Sequence, residues 1–306
     1  MKNNKPVLTG NIAGSDIRQL RIFKAVVECG GFSAAEADLN ITRAAISIAM
    51  TDLEQRLSLR LCERGRSGFS LTHEGQQIYG YSLQLLSAME DFRTQVNSTH
   101  ANLKGELNIG ITDNLVTMPR MLITHAIKAL KQQGPEVQIN ILMTPPSDIE
   151  AGVQEGRLHT GVVPLIKHLT GLDYIPLYEE ESNLYCSTSH PLFRRSDREL
   201  SRADIESFDA VLPAYSQAAE TKAIYPSMQG NATATDREGI AFLVLTGQYI
   251  GYLPVHFAER WVREGSLRAL QPKQLRYTTE YAAITRKGAR FNLVLTSYLQ
   301  QLKSRI

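Results

Sequence analysis

Between Asp16 and Cys29 the apolar residues Ile17, Leu20, Phe23, Ala25, Val26 and Val27 fall on one helical stripe, which Gly30-Gly31 ends. Ser33-Ala-Ala-Glu36 then has the spacing of a capping box and predicts a short helix to about Leu39. Asn40-Ile41 predicts a tight turn, and Thr42 can cap a third helix from Arg43 to about Leu57. In that helix Ile46, Met50, Leu53 and Leu57 repeat at i, i+4, i+7 and i+11, a buried stripe. Leu59, Leu61, Phe69 and Leu71 alternate with polar neighbours around Gly65–Gly68, which predicts a β-hairpin with Arg60, Arg64 and Arg66 near its tip. From Thr72, a capping residue, one helix is expected to run to about Ser98. Its heptads place Ile78, Leu85 and Phe92 at one seam position and Ser82, Met89 and Val96 at the other.

Charge changes this picture. Residues 1–73 hold ten Lys/Arg against seven Asp/Glu, while the rest of the chain holds 23 basic and 24 acidic groups. A small basic head on a neutral body suits a polyanion ligand. The outward face of the third helix adds chemistry to charge. Arg43, Ala44, Ser47, Ile48 and Thr51 lie off the buried stripe. They offer one guanidinium for a guanine edge, hydroxyls for bases or phosphates, and small apolar groups for thymine methyls. A plain solvated helix face is the bland alternative for Arg43 and Ser47, and an ion pair with Glu63 or Glu54 is the alternative for Arg64. Ile48 fits a solvated face worst, because it is apolar and opposite the core.

Residues 16–75 resemble the winged helix-turn-helix of LysR-type transcriptional regulators. The resemblance is carried by DIRQLRIFKAVVECGGFSAAEADL, TRAAISIAMTDLEQRL and RLCERGRSGFSLTHEG. Family members often have Gln in place of Arg43, a basic residue in place of Ile48 and Phe in place of Cys62, so the operator sequence does not carry over. The expected DNA-contacting set is Ser33, Thr42, Arg43, Ala44, Ser47, Ile48, Thr51, Arg64 and Arg66. The resemblance makes the long helix a linker that dimerises through Ile78, Leu85, Met89, Phe92 and Val96; packing of that seam within one chain is the alternative.

Farther on, strands are expected at 105–111, 137–143, 159–163, 174–187, 210–212, 249–253 and 275–285. Helices are expected at about 115–133, 147–155, from 235 to Gly247, and at about 291–302. This alternation implies a parallel α/β sheet, and the two long extended runs, near 174–182 and 275–282, imply two crossings between lobes. The layout resembles the type 2 periplasmic-binding-protein fold of the family's effector domain. The expected division is a flexible extension (1–15), a winged helix-turn-helix (16–73), a linker helix (74–100) and an effector-binding domain (103–306). Lobe 1 takes about 103–176 and 277–306, and lobe 2 about 177–276.

A ligand between such lobes would meet helix N-termini, whose free amides favour an anion. The candidate effector residues are Thr112, Asn114, Thr144, Pro164 and Thr235. A small organic acid or amino-acid-like compound is the first choice of effector and a neutral aromatic the alternative. The partners implied are double-stranded DNA with an interrupted palindromic operator, a second copy in a dimer of dimers, and RNA polymerase. No nucleophile elbow, Walker loop, zinc motif or Cys-x-x-Cys occurs in the sequence, so neither enzyme, metal nor cofactor is expected. Cys29, Cys62 and Cys186 suit a reducing compartment, and Cys186 alone in the effector region excludes a disulfide there. No apolar run approaches the ~18 residues of a membrane span. A cytoplasmic location is therefore expected. An enzyme, or an architectural DNA binder whose large domain only oligomerises, are the competing readings.

Overall fold

The computed structural model describes residues 11–65, 68–98, 103–289 and 292–306. The chain divides into two compact units at Phe92/Arg93. In the first, α1 (Gly14–Glu28), α2 (Phe32–Leu39) and α3 (Arg43–Leu57) precede the hairpin β1 (Cys62–Gly65) and β2 (Gly68–Leu71), and α4 (His73–Ser98) follows. Phe23, Val26, Ala35, Ile46, Met50, Leu53, Leu61 and Cys62 form one buried core. Each large aliphatic or aromatic side chain so buried contributes about 1.5–3 kcal/mol. Gly30, at φ +74°, ends α1 in the left-handed conformation that glycine tolerates. Gly75 lets α4 touch the hairpin: a Cβ there would lie 1.9 Å from the Leu61 carbonyl oxygen.

Two expectations for this unit are corrected. The Ser33–Glu36 capping box does not form, because Gly31 is the N-cap of α2 and Ser33 already sits in the first turn. Arg60 is not at the hairpin tip. It precedes β1 at the base, where its guanidinium reaches Glu63 at 3.2 Å and the Cys62 carbonyl at 3.3 Å.

The second unit contains β3 (Glu106–Ile111), α5 (Leu122–Gln133), β4 (Gln138–Met143), α6 (Pro146–Glu155), β5 (Thr160–Pro164) and the 16-residue β6 (Leu172–Ser187). There follow α7 (Arg202–Glu206), β7 (Asp209–Pro213), α8 (Ala219–Lys222), β8 (Gln229–Ala234), α9 (Arg237–Leu245), β9 (Gly251–Pro254), α10 (Val255–Arg263), β10 (Leu267–Ala269), β11 (Arg276–Arg286) and α11 (Leu293–Lys303). Strands β3, β4 and β5 are parallel. The parallel arrangement expected from the strand–helix alternation is present in these three, whereas the crossing strands β6 and β11 run antiparallel to each other from Leu172/Arg286 to Asn183/Arg276. One residue, Leu177, is left over where the register shifts beside Pro176, which has no N–H to give the ladder. Lobe 1 packs around Leu107, Ile109, Leu130, Tyr281 and Tyr298, and lobe 2 around Leu184, Ile205, Ala210, Ile250 and Val244.

The helix expected over 115–133 is a 3-10 turn (Leu115–Thr117) followed, after a break, by α5. Met118 is extended, as a residue before proline prefers to be, and Pro119 interrupts the helix. The capping box at Ser147 does not form either. Pro146 opens α6 one residue earlier, behind Pro145, which has no side-chain acceptor to offer. Strand β8 and helix α10 were not foreseen: β8 is a polar six-residue run, and α10 follows β9 without a capping side chain.

Candidate DNA-binding face and interlobe cleft

The Thr42 hydroxyl accepts the Ala45 amide at 3.2 Å and starts α3 at Arg43. Ile46, Met50 and Leu53 are buried, which turns Arg43, Ala44, Ile48 and Thr51 outward; Ser47 is half-buried at the edge. Ile48 is 62% exposed, an apolar side chain held toward water on an otherwise polar face. The Thr51 hydroxyl donates to the Ser47 carbonyl at 2.8 Å and keeps its lone pairs for an outside donor. Ser33 is exposed at the start of α2. Arg66 and the side chain of Arg64 lie outside the described residues.

The sequence reading missed the residue that fixes the hairpin to α3. One carboxylate oxygen of Glu54 accepts the amides of Leu61 (2.8 Å) and Cys62 (3.2 Å). Glu54 thereby ties the hairpin to α3, and Glu63 pairs with Arg60; the ion-pair alternative for Arg64 lies outside the described residues. Cys62 is buried and serves as a small apolar group.

The Thr72 hydroxyl accepts the Gly75 amide at 2.8 Å and caps α4. Ile78 joins the core of its own unit, with Tyr79. Leu85 and Met89 are half-buried, whereas Tyr81, Phe92 and Val96 are exposed. The seam is therefore used within the chain at Ile78 and is exposed at Phe92.

Between the lobes lies a cleft of about 280 Å³. Lobe 1 lines it with Pro146 and Pro164–Ile166, lobe 2 with Tyr215–Ala218, Glu220, Thr221 and Arg237, and the crossing strand with Tyr277–Glu280. The Arg237 guanidinium stacks over the Tyr215 ring at 4.8 Å. It donates to Asp113 at 2.7 Å and to the Tyr281 hydroxyl at 2.8 Å. Only 8% of Arg237 is exposed, so this cation is taken from water and needs the pairing that Asp113 gives it.

Of the five expected effector residues, Pro164 lines the cleft, and Thr144 lies two residues before Pro146, which does. Thr112 is buried, and its hydroxyl has no partner among the described residues. Asn114 is in the left-handed region at φ +65° and bonds Asp113 at 3.0 Å. Thr235 is exposed, and the cap of α9 is its neighbour Asp236, which accepts the Gly239 amide at 2.7 Å. Neither Thr112, Asn114 nor Thr235 belongs to the cleft wall. Arg237 and Tyr215 were missed. The only local signal was an arginine directly after a helix cap.

Residues 17–76 match the family described as "Bacterial regulatory helix-turn-helix protein, lysR family", and residues 100–306 match "LysR substrate binding domain". The HTH-type transcriptional activator BauR of Pseudomonas aeruginosa is 54% identical over 299 residues, covering 98% of each chain. A probable hydrogen peroxide-inducible genes activator of Mycobacterium xenopi is 27% identical over 62% of this chain and 95% of its own length. The fold matches that of full-length CbnR in complex with its target DNA, with a TM-score of 0.67 at 17% identity over 94% of this chain and 99% of that one.

Proposed function

Since the chain belongs to the LysR family of bacterial transcriptional regulators, we propose that it binds an interrupted palindromic operator as a dimer of dimers and answers to a small anionic effector seated beside Pro164 and Arg237. It is a regulator and not an enzyme: a DNA-binding head is joined to an effector-binding domain, and a relative sharing over half its residues is a transcriptional activator. By that likeness the regulation is activation, with RNA polymerase as the partner and the cytoplasm as the site of action. No described helix is long and apolar enough to cross a membrane.

The observation that carries the effector reading is Arg237, a buried cation on the wall of a cleft shared by both lobes. Among the described residues its side-chain hydrogen bonds use Nη1 and Nη2, which leaves Nε for an anion. Two carboxylates in the same wall, Glu220 and Glu280, favour an acid that also carries a positive group. This supports an organic acid or amino-acid-like effector over a neutral aromatic. It favours the cleft at Pro164 over the Thr112 and Thr235 segments, which do not line it. Thiol-based peroxide sensing has less support, because Cys186 is buried and burial pushes its thiol up to about 11.

Selection from random duplexes gives the operator, and footprinting with and without a panel of short organic acids, amino acids and neutral aromatics gives the response. A footprint changed by an acid or amino acid supports the reading. A response confined to aromatics overturns the effector class, and no response to any compound favours the architectural binder.

A further inference from the structure

Outside the paired crossing strands, two hydrogen-bonded contacts among the described residues bridge the lobes. In the first, Asp113 at the end of β3 meets the start of α9. One of its oxygens accepts the Arg237 main-chain amide at 2.7 Å, and the other accepts the guanidinium at 2.7 Å. An aspartate of one lobe thus satisfies a first-turn amide of a helix in the other. In the second, the Thr117 hydroxyl lies 2.6 Å from Nδ1 of His256 on α10. Glu180 on β6 stands behind both. It is 2% exposed, and its carboxylate is 3.0 Å from Nε2 of His256 and 3.6 Å from the Arg237 guanidinium.

We propose that Asp113–Arg237 and Thr117–His256 form a two-point latch between the lobes, with Glu180 as the positioning residue that aims both lobe 2 groups at lobe 1. Glu180 makes the two points act together, because Arg237 and His256 share its one carboxylate. Opening either point frees the other donor to turn toward Glu180. The cleft reports to the latch through Arg237, which belongs to both. An anion on the free edge of the guanidinium holds Arg237 in place and stabilises the latched arrangement. This last step rests on the effector reading above; the latch itself does not.

The Arg237 amide is a built-in reporter, since its hydrogen bond crosses from one lobe to the other. Hydrogen exchange of the full-length protein, with neither DNA nor effector, tests the latch. Thr117 is exposed; Thr117→Val removes its contact with His256 and also the 2.9 Å bond that its hydroxyl donates to the Asn114 carbonyl, so His256→Phe, which leaves that bond in place, is read beside it and should give the same result. Exchange of the Arg237 amide is expected to rise about fivefold or more in Thr117→Val, although position 117 does not touch Arg237. Amides of Ala282–Ile284, paired with β5 inside lobe 1, should keep their wild-type rates. Glu180→Gln should reproduce the effect. If Glu180→Gln speeds exchange everywhere, the Thr117→Val and His256→Phe results decide. An Arg237 amide that exchanges at the wild-type rate in Thr117→Val overturns the latch. A latch that behaves as described but is untouched by every acid tested would sink the effector class and leave the latch standing.

Discussion

The Thr42 hydroxyl accepts the Ala45 amide and thereby sets Arg43 as the first residue of α3, with the buried Ile46 one turn on. Arg43 owes its position to that cap and not to any ion pair of its own among the described residues. Arg43→Ala should cost about 1–3 kcal/mol of operator binding and relax one base pair in each half-site. Arg64→Ala should weaken every site alike and flatten the salt dependence. Binding isotherms against operator and random duplexes at several salt concentrations separate the two. Equal losses on both duplexes for Arg43→Ala would remove its base-reading role.

Phe92 is 68% exposed on α4, two heptads after Ile78, which has already joined its own core. An aromatic ring left in water on a long helix fits the proposed dimer seam. Replacing Leu85 and Phe92 together by Asp should dissociate the dimer held by this seam. Operator affinity should fall by about 10²-fold or more, because two linked heads bind at high effective concentration. Analytical ultracentrifugation measures the first effect. An unchanged oligomer would show that the seam is not an interface.

The recognition helix was readable because its signals are local. Thr42, the four-residue spacing of the stripe and the polar outer face all lie within sixteen residues, and the bounds Arg43–Leu57 are those of the structure. The break before α5 was equally local, since Pro119 stands in the run, but a capping pattern over Thr112–Asn114 drew the helix too early. The cleft was legible only at Pro164. Arg237 depends on Asp113, 124 residues away, and on Tyr281 on the second crossing strand. No spacing rule within one segment can announce such a meeting. Helix caps, which do have such a rule, pointed to Thr235, whose hydroxyl bonds its own neighbour Asp236.

Thr112 places a hydroxyl in the interior with no described partner. An unpaired buried hydroxyl costs about 1–3 kcal/mol. Thr112→Val keeps the shape and removes that penalty, so the free protein should be as stable as wild type or up to about 1 kcal/mol more stable. Urea unfolding gives the difference. A clear loss of stability would mean that the hydroxyl is satisfied, by water or by a ligand.

His190 is 2% exposed in lobe 2; its Nδ1 accepts the Leu192 amide at 3.2 Å, and Nε2 has no described partner. Burial lowers its pKa, so the folded protein keeps the ring neutral. The unfolded chain takes up a proton at about 6.5, and stability that is complete above this value falls as pH drops below it. Thermal melts at pH 7.5 and 5.5 should show the wild type losing several degrees. His190→Asn retains an acceptor for the Leu192 amide and should lose less over the same interval. Identical acid sensitivity in the two proteins would assign the effect elsewhere.

Strands β6 and β11 join the lobes as one hydrogen-bonded ribbon and not as two separate tethers. A ribbon resists stretching and shear along its ladder, but it twists and bends with little cost. Lobe 2 can therefore tilt about a single flexible axle, while translation away from lobe 1 is blocked. An effector seated in the cleft, as proposed, would then be converted into little more than a change of the angle between the lobes. Compounds of unlike structure that set the same angle would then be indistinguishable at the promoter, and close analogues that set different angles would act as agonist and antagonist.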